Sequence, residues 1–186
     1  LLMYYLSFWF RGWRWNLIAR SAGLDESTEV ELPSILNSSL IILQGWFANS
    51  VAFMRLGDAY RGYAYSRESG ARFSVSLGTV VGERAQDVVI VLMLLVIATG
   101  GMLAIGTTGA PIWVVIAALL LVVILILLLV GMKFYGNHIS SMLPQRVGEV
   151  LRNVSIGALA SFRLKDVPGQ FSLGIAAWFL EMGRLL

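Results

Sequence analysis

The run from Val88 to Met132 constrains this chain most: forty-five residues without one charged side chain. About 20 apolar residues in a helix cross the ~30 Å hydrocarbon core of a bilayer. This run holds enough for two crossings, and Gly100-Gly101 with Gly106-Thr-Thr-Gly-Ala-Pro111 supplies the turn between them. Backbone polar groups in lipid must bond internally, which leaves helices or closed barrels. The run has no strand-like alternation, so it predicts helices over 73–99 and 112–132, the second facing lipid. Composition agrees. The chain is 58% hydrophobic and 13% charged, against about 25% charged in a soluble domain. The expected fold is all-α: a polytopic membrane protein forming one domain over 1–186, with both ends falling inside helices as if cut.

The rest of the chain supports further segments. Residues 1–20 are apolar and aromatic, then basic. They read as the tail of a membrane helix, with Arg11, Arg14 and Arg20 on the wet side of an aromatic belt. After the acidic loop 21–31, residues 32–54 are long enough to span but carry Asn37, Ser38, Ser39, Gln44, Asn49 and Ser50. Either this is a span whose polar groups bond across helices, or it is a re-entrant hairpin bent at Gln44-Gly45. Arginines flank it on both sides, and the positive-inside rule wants both sets in the cytoplasm. That balance favours the hairpin. Residues 55–72 then read as an amphipathic cytoplasmic segment, and a new helix begins near 171.

Composition also bounds function. The net charge is +3, and its basic residues gather in a few loops. That pattern suits topology and contact with anionic lipid, and no nucleic-acid-binding motif is present. There is no phosphate-binding glycine loop, nucleophile elbow or His/Cys cluster. No metal or cofactor is expected, and no catalytic chemistry. The lone His138 reads as interfacial. With no cysteine, the redox compartment cannot be read.

The charges beside the long run carry the functional signal. Arg55, Asp58 and Arg61 are helical neighbours at i,i+3. Asp58 could orient two guanidinium forks toward a phosphate, although a plain basic loop obeying topology has the same residues. On the next helix, Ser76, Thr79, Glu83 and Asp87 share a stripe, with Arg84 at its edge. Gly78 and Gly82 form a G-x-x-x-G on the other side, suited to close helix approach. A charge at the bilayer centre costs about 2.5–3.5 kcal/mol. Glu83, Arg84 and Asp87 therefore lie at the interface or pair in a polar cavity, and spacing alone leaves both open. A short repeat adds a second set: Arg55-Leu-Gly-Asp-Ala-Tyr-Arg61 matches Arg146-Val-Gly-Glu-Val-Leu-Arg152, and Ser76-Leu-Gly precedes Glu83 as Ser172-Leu-Gly precedes Glu181. Repeated halves with a site between them are common in transporters, although a match this short also arises by chance.

These residues resemble the transmembrane, flippase-like domain of lysylphosphatidylglycerol synthases. The likeness rests on Arg14-Trp15, on Asn49 followed by Arg55-Leu-Gly-Asp-x-x-Arg61, on Glu83-Arg84-x-x-Asp87, and on Trp178-x-x-Glu181. It covers nearly the whole chain. The family's pattern has Pro-x-R-x-G-E-x-x-R; this chain lacks the Pro and has Asp58 for the Glu. The resemblance implies a domain of the cell membrane that moves an anionic or aminoacylated phospholipid between leaflets. Its site would comprise Asn49, Arg55, Asp58, Arg61, Glu83, Arg84, Asp87 and Glu181, to which the short repeat adds Arg146 and Arg152. Membrane phospholipids would be its partners, with a lipid-modifying enzyme or a second copy beside them. Aminoacyl transfer would belong to a separate domain. The rival expectation is a module that holds lipid or anchors a partner enzyme without moving anything.

Overall fold

The computed structural model describes residues 2–24, 30–51, 56–106 and 112–183. They form seven helices and no strand: α1 (Leu2–Ser21), α2 (Ile35–Val51), α3 (Gly57–Ser69), α4 (Phe73–Ala104), α5 (Ile112–Met142), α6 (Gln145–Ala160) and α7 (Val167–Met182). Over Phe73–Met102 and Ile112–Gly136, α4 and α5 are long and apolar enough to cross a membrane. None of the most apolar stretch of α5 is buried in the bundle, as expected of a face meant for lipid.

Helices α2 and α3 form an antiparallel hairpin. Ser34 Oγ accepts the Asn37 N–H at 3.1 Å and starts α2 just after Pro33. Gly70, at φ 75°, ends α3 in the left-handed region that suits glycine. Both outer ends lie at the same end of the bundle: Asn16 near the end of α1 donates to Pro33 O at 2.8 Å, and α3 passes through Gly70 into the start of α4. The tip reaches Arg84, which Asp58 contacts at 2.7 Å. From there α4 continues for another ~30 Å at 1.5 Å per residue. The hairpin therefore reaches only part of the way along α4.

Its bend is not at Gln44-Gly45, because α2 runs unbroken through both. Gly45 lies against the Arg61 side chain and the Gly57 backbone, where a Cβ would collide with both. The glycine allows two helices to meet closely; it does not turn the chain. The polar residues of α2 bond across helices: Ser38 Oγ donates to Asn16 Oδ1 at 2.7 Å, and Gln44 Oε1 accepts from Tyr60 Oη at 2.9 Å.

On α4, both faces are packed. Gly78 and Gly82 press on Val154, Gly157 and Ala158 of α6 and on Ser161 just past its end, as their spacing predicts. The polar stripe, for which spacing alone leaves interface or cavity open, meets α1 and α3. Helix α6 runs alongside α4 in the same direction, and α7 continues that course after a break at 161–166. Gln86 closes the break. Its Nε2 lies 2.6 Å from both Ser161 O and Gln170 Oε1, and Gln170 reaches Ser21 Oγ at 3.1 Å. A carbonyl freed by a helix break in lipid needs such a donor.

Candidate functional site: a two-layer ionic cluster beside an apolar-walled cleft

Four arginines and four carboxylates meet where α1, α3, α4 and α7 converge. The inner layer is sealed. Glu83, 1% exposed, pairs with Arg61 at 2.5 Å and with Arg14 at 3.3 Å. Arg14 also holds Asp87 at 2.7 Å. Trp15 supports this layer from below. Its ring lies 4.7 Å beneath the Arg61 guanidinium and 4.4 Å from the Tyr65 ring centroid, and its N–H donates to Thr79 Oγ1 at 3.0 Å.

Around Arg84 the second layer is partly open. Arg84 grips Asp58 with two nitrogens, at 2.7 and 3.3 Å, and reaches Asp87 at 3.5 Å. The Arg84 and Asp58 side chains are 35% and 31% exposed, so a ligand can meet them. Nearby, Arg11 pairs with Glu181 at 2.5 Å.

These outer groups line a cleft of about 800 Å³. Arg11, Asn49, Ser50, Asp58, Arg84, Asp87 and Glu181 form its polar side. Val88, Val91 and Leu92 of α4, with Leu121 of α5, form an apolar wall. Trp46 and Trp178 complete it. Asn49 also shapes the cleft, since its Oδ1 accepts the Gly57 N–H at 2.8 Å and fixes the start of α3.

Of the expected site residues, the structure gathers Asn49, Asp58, Arg61, Glu83, Arg84, Asp87 and Glu181. Arg55 lies outside the described residues. Arg146 is exposed on α6, and Arg152 lines a separate cleft at the α5–α6 corner with Ser140, Ser141 and Glu149. Arg61 and Arg152, equivalent in the repeat, thus have opposite environments, one buried and one exposed. Within the segment read as amphipathic, residues 57–69 form α3, and its packed face carries Arg61 and Tyr65, both fully buried.

Sequence reasoning misplaced Arg11 and Arg14. They are 3% and 1% exposed, not on a wet face. Helix α1 lies between α2, α4 and α7, and carboxylates from α4 and α7 meet it there. A charge count could have found them: Glu83, Asp87 and Glu181 have too few cations near them in sequence. Only Arg20 is exposed as expected.

The family described as the lysylphosphatidylglycerol synthase TM region matches residues 1–186. The chain belongs to that family. A UPF0104 membrane protein of Methanocaldococcus jannaschii is 27% identical over 135 residues, which is 73% of this chain and 57% of that protein. The chain thus spans less than two thirds of that relative's length. No solved structure matches the chain. In this member of the lysylphosphatidylglycerol synthase TM family, the Asp58 that replaces the expected Glu still reaches Arg84 with both oxygens.

Proposed function

We propose that this multi-pass domain of the cell membrane binds a phospholipid headgroup in the cleft and passes the lipid between leaflets. The observation that carries this reading is the Arg84–Asp58 pair, about one third exposed, beside an apolar wall on a helix long and apolar enough to cross a membrane. Charge inside a membrane protein is costly and is retained where something polar must pass.

Electrostatics narrows the cargo. The charges lining the cleft are Arg11 and Arg84 against Asp58, Asp87 and Glu181, one negative in excess. A phosphate alone could take Arg84 but would leave Asp58 only the more distant Arg61, at 3.7 Å, a loss of about 1 kcal/mol for a pair this exposed. A headgroup with both a phosphate and an amino group replaces both partners at once. Aminoacylated phosphatidylglycerol, which the family's name suggests, has that chemistry. The phosphate sits on Arg84, and the amino group on Asp58 and Asp87. Arg61 does not touch the lipid; it fixes Glu83 from behind. Acyl chains lie along Val88, Val91 and Leu121. The domain binds and transfers without covalent chemistry.

The test uses proteoliposomes of phosphatidylglycerol, with and without lysylphosphatidylglycerol. Purified wild-type protein is expected to bind the lysylated lipid and speed its movement to the other leaflet. Arg84→Gln and Asp87→Asn are expected to lower binding about tenfold or more, the scale of losing one partner of a close charge pair. Wild-type binding without transfer would reduce the domain to a lipid-holding module.

A further inference from the structure

The Arg11–Glu181 pair takes no part in the headgroup site around Arg84, yet it lines the same cleft. Arg11 stands three residues before Arg14 on α1, one helical turn or ~5 Å farther from the hairpin's open end. Its guanidinium lies between two indoles, 5.2 Å from the Trp46 ring and 5.6 Å from the Trp178 ring, and its carboxylate partner comes from a third helix. Arg11 is 3% exposed, whereas the Glu181 side chain is 20% exposed and turns the pair's acidic side to the cleft.

Two buried donors here have no acceptor among the described residues: Arg11 Nε and the Trp178 indole N–H. Buried donors without acceptors are costly, and an arriving anion would relieve both after a small side-chain shift. Trp faces and a carboxylate are also a favourable surface for an ammonium group. The pair thus repeats the logic of Arg84–Asp58, one guanidinium and one acid. A headgroup with both charges can replace it without leaving either charge unpaired.

We propose that Arg11, Glu181, Trp46 and Trp178 form a second headgroup station, reached after the one at Arg84 as a lipid advances through the cleft. A phosphate oxygen takes the Arg11 and Trp178 donors, while the amino group meets Glu181 and the ring faces. The inference rests on the proposed lipid-binding function. It adds that binding and movement use different residues.

The experiment measures both on the same protein. Vesicles of phosphatidylglycerol carry a trace of acyl-chain-labelled phosphatidylethanolamine, which is zwitterionic. Binding is read by native mass spectrometry, and transfer by reductant access to the label. Glu181→Gln is expected to keep binding at the Arg84 station but slow transfer about tenfold or more. That variant strands Arg11 and could fail to fold, so Trp178→Phe is measured beside it. Its lost N–H has no partner to miss, so thermal stability is expected to hold while transfer slows. Inorganic phosphate in excess separates the two sources of anion: competition at the station by free phosphate alone, with no dependence on lipid, would overturn the proposal. Wild-type transfer in both variants, with Arg84→Gln still defective in binding, would overturn the second station and leave the lipid-binding reading standing. Absence of binding by the wild-type protein would overturn both.

Discussion

The inner and outer layers of the cluster use the same chemistry, guanidinium against carboxylate, and differ in burial. Arg14, Arg61 and Glu83 are at most 1% exposed, whereas Arg84 and Asp58 are about one third exposed. The comparison teaches that residue type does not assign a role here. Sealed charges tie α1, α3 and α4 together and hold the site in shape. Charges open to the cleft can exchange partners. A buried pair costs desolvation and adds little net stability, yet losing one member is severe. An exposed pair is worth ~0–1 kcal/mol.

Glu83→Gln should break the comparison most sharply. It leaves Arg14 and Arg61 buried beside a neutral amide, and the expected loss is about 3–5 kcal/mol. Thermal unfolding in detergent would check it, and wild-type stability would mean the inner layer holds nothing. Next comes Gly82→Val, which drives a side chain into Ala158 of α6 and Ser161 just past its end. Overpacking of this kind costs about 1–3 kcal/mol. Because α6 seats the helix that bears Glu83, the unfolding temperature should fall without a selective loss of lipid binding. Arg84→Gln sharpens the contrast from the other side. Its stability cost should stay within about 1 kcal/mol, since the pair is partly exposed, while binding drops. The smallest effect belongs to Arg72→Ala. The Arg72–Glu149 pair, at 3.4 Å, has side chains 71% and 54% exposed, so stability should move by less than ~0.5 kcal/mol.

Much of this was legible before coordinates. The uncharged run set α4 and α5, because lipid leaves a chain few options. The i,i+4 stripe through Thr79, Glu83 and Asp87, and the glycine pair opposite, followed from helical geometry. What the sequence hid was partner choice. Arg14 finds Asp87 across 73 residues, and nothing local at Arg14 separates a belt arginine from a buried one. A hairpin within 32–54, bent at Gln44-Gly45, was expected; that stretch instead holds the single helix α2, and the second arm is α3, which reads in the sequence as a separate segment. The helix read as beginning near 171 starts at Val167, but what closes the break before it was invisible: Gln86 carries no charge and looks like an ordinary polar residue on α4. The repeat misled because it compares residues along the chain, while burial depends on what packs across from them.

The order in which the ribosome makes the cluster has a consequence for biogenesis. Arg14 and Arg61 emerge before Glu83 and Asp87, and Glu181 comes last, 170 residues after Arg11. Until their counterions arrive, each such cation in the membrane core carries a penalty of about 2.5–3.5 kcal/mol. The first two helices and the returning loop therefore cannot settle at their final depth during early translation. They wait near the translocon or the water boundary, and the acidic segments draw them in.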